Sequence, residues 1–360
     1  MTKKNLKAVA PEELEPFMLE LGLPGFRADQ AIHWIYEKHA QSVSEITEFS
    51  KDLREKLAQR VYISNLTLLK RQVSEDGTEK FLFELEDGET IESVLIPDSD
   101  RLTLCISSQA GCMLGCRFCL TGKKGLRRNL RSHEIVDQIL SVNRALHASS
   151  DSPDCRVAKG MGQNPAPSKI TNIVFMGMGE PLSNFDKVVD ALWRIVKLLR
   201  ISPRRLTLST AGITPRILEL PQKAPMVNLA ISLNATTEEV RDYIMPVNKN
   251  YPLTTLLSAC RRFPLPPRRR LTFEYVLLKG VNDTTEDAKR LIGLLRGIPS
   301  KVNLIPLNPF EGSEFQRPED QNILKFQTIL LNEHIAAFIR QSRGRDILAA
   351  CGQLQARYRV

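Results

Sequence analysis

From Arg101 onward the chain repeats one unit: a short apolar strand, a loop, then an amphipathic helix. Strands are expected at 102–106, 170–176, 205–210, 227–232, 271–278 and 301–307. Helices are expected at 132–147, 184–199, 213–220, 236–242 with 253–262, 284–295 and about 318–331. Strands that are apolar throughout need cover on both faces, and the helices between them supply it. That pattern implies an α/β fold with a parallel sheet and right-handed crossovers. Six units suit an open or partial (βα)6 TIM-like barrel, with any chemistry at the C-terminal ends of the strands.

The first hundred residues keep a different rhythm. Residues 1–60 read as a helical module: PEELEPFMLELG, then Arg27–His39, then a helix that opens on Ser50 as its cap. Residues 61–100 switch to a period of two, with turns at Glu75-Asp76-Gly77 and Glu86-Asp87-Gly88, and read as three antiparallel strands. The barrel is expected over 101–343, followed by a C-terminal segment, 344–360. One long polar stretch, 148–169, reads as a surface loop, and its Cys155 as an ordinary exposed thiol.

Hydrophobic residues are 42% of the 360, enough for a sizeable core, and no apolar run approaches the length of a bilayer span. MTKKNLKAVAPEELE turns acidic before a signal-peptide core could form, so the expectation is a cytoplasmic protein without a membrane partner. The net charge of +9 is modest for this length. Its distribution is more informative. Arg117 to Arg131 holds six basic residues and no acid, and RRFPLPPRRR, Arg261 to Arg270, holds five arginines and no acid. Such blocks suit a phosphate backbone, and the helical module is a candidate surface for docking RNA.

Seven cysteines, an odd number with four of them between Cys105 and Cys119, argue against a disulfide framework. Cys112, Cys116 and Cys119 form C-x3-C-x2-C directly after the first barrel strand. Thiolates this close can share one metal centre. A structural zinc ion would want a fourth ligand, and none stands at finger spacing. A 4Fe-4S cluster on three cysteines leaves one iron open; zinc remains the alternative on spacing alone. Met176-Gly-Met-Gly-Glu-Pro181 follows the second strand, where Gly177 and Gly179 allow close backbone approach and Glu180 suits an ammonium group.

C-x3-C-x-aromatic-C, with Phe118 as the aromatic, resembles the signature of the radical S-adenosylmethionine (radical SAM) superfamily, and Gly179-Glu180-Pro181 resembles its GEP element. The likeness extends further. Cys105-ISSQAG-Cys112, Leu208–Gly212, Ala230–Ala235, Asn303–Gly312 and Arg343–Leu354 occur in the order seen in the dual-specificity adenine-C2 methyltransferases of 23S rRNA and tRNA. The resemblance implies a 4Fe-4S cluster on Cys112, Cys116 and Cys119. It also implies SAM held at the GEP element and at Ser209, Ser232 and Asn308. One departure is Asn234, where many relatives carry histidine; Asn cannot supply imidazole proton chemistry.

The same resemblance gives two further cysteines their roles. Cys351 would accept a methyl group from one SAM. A 5'-deoxyadenosyl radical from a second SAM would take hydrogen from that S-methyl, and the methylene would add to adenine C2. Cys105 would remove the C2 proton and attack the Cys351 sulfur, releasing the base and leaving a disulfide for external thiols to reduce. Their Cα atoms must then come within about 7 Å. Glu92 matches an acidic residue near the substrate adenine. Implied partners are 23S rRNA and tRNA, a reducing electron donor such as flavodoxin or ferredoxin, and a thiol reductant, around a monomer. Alternatives are methylation at adenine C8, a maturase for another substrate, and a zinc-containing RNA-binding module.

Overall fold

The computed structural model describes residues 3–150 and 169–356; most of the 148–169 stretch, Cys155 included, lies outside them. The chain opens with a two-residue strand β1 (Lys4–Asn5), then helices α1 (Pro11–Glu20) and α2 (Arg27–Ile32). α2 continues as a π-helical turn through Glu37. α3 (Lys51–Arg60) begins where Ser50 Oγ accepts from the Leu53 amide, the expected cap. Val61–Tyr62 (β2) pairs in parallel with β1, a closure of the module that its composition did not announce.

β3 (Thr67–Val73), β4 (Glu79–Glu84) and β5 (Thr90–Asp98) are antiparallel, with β-turn glycines Gly77 and Gly88 in the left-handed region at φ 80 and 82. They do not form a separate sheet. β6 (Arg101–Cys105) pairs antiparallel with β5 and carries the same ladder into the barrel. After it come a hairpin of β7 (Gln109–Gly111) and β8 (Leu126–Asn129), which embraces the short helix α4 (Leu120–Lys123), and then the long helix α5 (Ser132–Ser150).

The expected alternation comes next: β9 (Asn172–Phe175), α6 (Phe185–Lys197), β10 (Leu206–Thr210), α7 (Thr214–Lys223), β11 (Asn228–Ser232), α8 (Glu238–Ile244) and α9 (Leu253–Arg262). It ends with β12 (Leu271–Leu277), α10 (Thr285–Leu295), β13 (Ser300–Pro306), α11 (Asp320–Asn332) and a further strand β14 (Ala336–Ile339). Strand neighbours run β14-β13-β12-β11-β10-β9-β6-β5-β4-β3, parallel from β14 to β6 and antiparallel beyond it. The α/β partial barrel thus holds, enlarged by β14. Leu104, Ile173, Leu208, Ile231, Phe273 and Leu304 bury one strand residue after another in a shared core with the helices. Each such burial is worth about 1.5–3 kcal/mol.

The helical module is bolted to this barrel by buried charge. Lys7 Nζ lies 2.6 Å from Asp137 Oδ1 on α5 and donates to the Ser64 carbonyl at 2.7 Å. Burial pulls the Lys7 ammonium down and pushes the Asp137 carboxyl up, while their mutual attraction works against both shifts. Arg194 of α6, also buried, donates to the carbonyls of Lys7 and Val9.

Candidate active site at the strand ends

The loop carrying Cys112, Cys116 and Cys119 sits over the C-terminal ends of the parallel strands. It is held by Cys112 N donating to Gly125 O at 3.0 Å and Arg117 N donating to Ile244 O at 3.0 Å. Leu114, Cys116 and Phe118 pack on Ile244, Met245 and Val247, so α8 and the turn after it support the loop from beneath. Burial pushes the Cys112 and Cys116 thiols up, and the neighbouring cysteines push each further. Among the described residues no three His, Cys, Asp or Glu groups close on one ion. Ligands of a polynuclear cluster each take a different iron, so they spread more widely than the ligands of one zinc.

The Met176–Pro181 turn is pressed against residues 106–109. A Cβ at Gly177 would stand 2.7 Å from the Ile106 carbonyl oxygen, and one at Gly179 (φ 97) 2.5 Å from Gln109 Cβ, so both positions require glycine. The Glu180 carboxylate turns inward: Leu182 N and Thr210 Oγ1 donate to one oxygen at 3.0 and 2.7 Å, and Ala211 N to the other at 2.8 Å. It therefore braces β10 against this turn. Three polar side chains at the same ends keep unspent capacity. The half-buried Ser209 and Ser232 hydroxyls have no protein partner among the described residues, and the buried Asn308 Oδ1 is likewise unpaired. Donors and acceptors left open around a glycine-cut turn fit SAM, and three neighbouring thiols beside them fit the cluster.

Cys105, at the end of β6, shares an apolar cluster with Val94, Met178, Ala349 and Leu354. Burial raises its thiol, and Cys351 adds to the rise. Cys351 is reached by solvent yet surrounded by protein, as on the floor of an open mouth, and that surrounding mass raises its thiol too. Leu120 N, next to Cys119, donates to Gly352 O at 2.7 Å, and Asn308 Nδ2 approaches Cys351 O at 3.4 Å. Glu92 is buried on β5; its carboxylate meets Lys80 Nζ at 3.3 Å and accepts from Gln355 N at 2.7 Å. Cys105, Glu92, the three loop cysteines, the GEP turn, Asn308 and Cys351 thus gather at one end of the sheet.

Other expectations are redistributed. Asn234 is buried and adopts φ 58, which Asn tolerates; its Oδ1 accepts from Val276 N at 2.8 Å and its Nδ2 sits 3.2 Å from Met245 Sδ, so it joins the end of β11 to β12. In the first basic block Arg117 forks onto Glu314, Arg128 onto Glu134, and Lys123 and Lys124 donate to the carbonyls of Gly312 and Gln355. Arg127 and Arg131 are exposed, and their side chains have no hydrogen-bond or ion-pair partner among the described residues. The second block precedes β12, at the opposite end of the strands from the mouth, and two of its arginines serve the fold: Arg261 donates to Leu294 O and Arg269 to Met226 O.

Two residues escaped the sequence reading. Lys80 looks like a solvated strand lysine until β4 is seen to be buried along almost its whole length. Arg241, fully buried, donates to Ala211 O, Ser232 O and Leu233 O, and so locks the ends of β10 and β11 together. Burial lowers its guanidinium to about 10, and it stays charged at neutral pH.

Comparison with known proteins gives the lineage. The Ribosomal RNA large subunit methyltransferase N-terminal domain matches residues 4–63, and the Radical SAM superfamily matches residues 106–292. The dual-specificity RNA methyltransferase RlmN of Pelobacter propionicus is 51% identical, covering 99% of this chain and 97% of that protein. Its counterpart from Geobacter sulfurreducens is 49% identical over 99% and 93%. A radical SAM methyltransferase of known structure from Sphaerobacter thermophilus superposes with a TM-score of 0.89 at 39% identity, covering 98% of this chain and all of that one. The chain belongs to the dual-specificity RNA methyltransferases of the radical SAM superfamily.

Proposed function

We propose that the chain methylates C2 of adenine in 23S rRNA and in tRNA, using Cys351 as methyl carrier and Cys105 as the thiol that releases the product. The observation that carries the assignment of roles is the shared apolar cluster of Cys105 with the residues flanking Cys351, beside the three-cysteine loop. The relatives named above favour dual-specificity RNA methylation over a maturase or a zinc module. When bound, the cluster on Cys112, Cys116 and Cys119 and SAM at Gly179–Pro181, Ser209, Ser232 and Asn308 would supply the methyl group and the hydrogen-abstracting radical.

The chain's own groups do the rest. The Cys351 sulfur takes the methyl group, losing its thiol proton, and holds the carbon over the mouth. After one hydrogen atom is lost, that carbon bonds to C2. As a thiolate, Cys105 takes the C2 proton while the adduct gives up its unpaired electron to the bound redox group; it then bonds to the Cys351 sulfur as the sulfur–carbon bond breaks, the electron pair goes with the base, and a proton completes the methyl group. Two electrons from an external thiol return both cysteines to the reduced state. Burial raises both thiols, so each must hand its proton to a base before its sulfur reacts. The turnover also calls for a low-potential electron donor, and the exposed Arg127 and Arg131 suit the RNA backbone near the mouth.

Cys105→Ala separates the two roles. It should add carbon to the adenine and stop there, leaving RNA attached to Cys351 through a bond that survives denaturation. Mass spectrometry of nuclease-trimmed protein should find the adduct on the Cys351 peptide. Efficient methylated product with no adduct would refute the two-cysteine scheme.

A further inference from the structure

We propose that Lys80 is a positioning residue for the methyl carrier: its buried ion pair with Glu92 holds the Cys351 segment by one backbone group on each side of the thiol. The inference rests on the assignment of Cys351 made above. Lys80 Nζ donates to Leu348 O at 3.2 Å and lies 3.3 Å from Glu92 Oε1, while Gln355 N donates to Glu92 Oε2 at 2.7 Å. Leu348 precedes Cys351 by three positions and Gln355 follows it by four. One continuous path, carbonyl to ammonium to carboxylate to amide, therefore spans the loop that carries the sulfur.

The pair is an expensive way to hold a sheet together. Its side chains are 6% and 4% exposed, and a buried ion pair is on average no more stabilising than apolar residues of the same volume. What it provides that apolar residues cannot is a fixed donor and a fixed acceptor pointing at another segment. Leu348 needs such a tether. Its φ of 52 lies in the left-handed region, which a side chain of this shape avoids unless the surroundings enforce it. From the barrel side Leu120 N, Asn308 Nδ2 and Thr121 Oγ1 reach the carbonyls of Gly352, Cys351 and Leu354. From the antiparallel extension, Asp76 accepts from Gly344 N, Ser74 Oγ donates to Asp346, and Thr90 Oγ1 donates to Ala356 O, all farther from the sulfur. Among the contacts from the extension, those of Lys80 and Glu92 bracket the thiol most closely, and they come from adjacent strands. Release of Lys80 frees the Leu348 carbonyl, lets its backbone relax, and shifts the sulfur away from Cys105.

The test uses the reconstituted holoenzyme with Lys80→Met, Lys80→Gln and Lys80→Arg. Iron content and RNA-independent 5'-deoxyadenosine formation should stay within about twofold of the parent, because neither the cysteine loop nor the GEP turn touches Lys80. Methyl transfer to RNA should fall roughly a hundredfold in Lys80→Met, the scale expected when a reacting atom is displaced by about an ångström. Iodoacetamide should label Cys351 several times faster, and Lys80→Arg, which keeps the charge and two donors, should restore most of the transfer. Lys80→Met with near-parental transfer, or with unchanged Cys351 labelling, overturns the proposal. So does a parallel loss of deoxyadenosine formation, which would make Lys80 a general structural residue. If Lys80→Met does not fold, Lys80→Gln carries the same comparison, since it keeps a donor without the charge. Cys351→Ala separates the two levels: retained methyl transfer there defeats the assignment of the carrier, whereas its loss beside a parental Lys80→Met defeats the positioning role alone.

Discussion

Two buried lysine–carboxylate pairs join the front of this chain to its later elements, and they hold different kinds of object. Lys7 and Asp137 meet at 2.6 Å between the helical module and α5, and the carbonyl they secure belongs to Ser64, a connector. Lys80 and Glu92 meet at 3.3 Å between neighbouring strands, and the groups they secure belong to the loop around Cys351. The chemistry is the same in both. The consequence of breaking each pair depends on whether the tethered segment must be present or must be placed. The first pair should be worth stability and the second should be worth geometry.

The largest effect that can break this contrast is in the first pair. Lys7→Met leaves Asp137 buried without its hydrogen-bonded ion partner and should cost about 3–5 kcal/mol of unfolding free energy. At a temperature where the variant stays folded, methyl transfer should be nearly parental. Denaturant titration and single-turnover assays, run together, check both halves; slow transfer by folded protein would erase the distinction.

A smaller effect sharpens it through pH. His133, buried beside the Lys7 pair with Asn5 Nδ2 3.4 Å from its ring, is held down to about 4, mainly by burial. The unfolded chain protonates this histidine near 6.5 and the folded chain does not, so its contribution is full above that value and is lost as pH falls toward about 4. His133→Gln should reduce the stability lost between pH 7 and pH 5 by about 2 kcal/mol. An unaltered acid limb would assign the loss elsewhere, with His39, also held to about 4 by burial, as the next residue to replace.

The smallest effect concerns charge that belongs to neither pair. Replacing Arg127 and Arg131 with alanine should weaken RNA binding and flatten its salt slope by about one unit per arginine. Stability and SAM cleavage should not move. The same change at Arg128 would be misleading, because that side chain is already committed to Asp87 and Glu134.

These contrasts also mark what could be read from the amino acids. The barrel was legible because each apolar strand and each amphipathic helix carries its own periodicity, and local chemistry fixed several boundaries: Thr284 and Asp287 form a capping box, and Ser50 caps α3. β14 was missed because Ala336–Ile339 is short and follows Asn332-Glu-His334 without a strand-like alternation. Periodicity names an element but not its neighbour, so the continuity of β3–β5 with the barrel was invisible. For the site, the cysteine spacing and the GEP turn are local in sequence and could be seen. Lys80 acts on a carbonyl 268 positions away, and Glu180 is satisfied by Thr210 and Ala211; only the folded chain reveals such pairings.

The position of β6 limits how this protein can be taken apart. Its antiparallel bond to β5 and its parallel bond to β9 make it the seam between the two halves of a single sheet, with Cys105 at its end. Cutting the chain just before Arg101 would leave β6 as a raw margin, its peptide groups unmatched and ready to template strand exchange between molecules. The antiparallel extension, 61–100, therefore cannot be detached from the barrel without opening its sheet. Its strands finish the wall in which Cys105 is set.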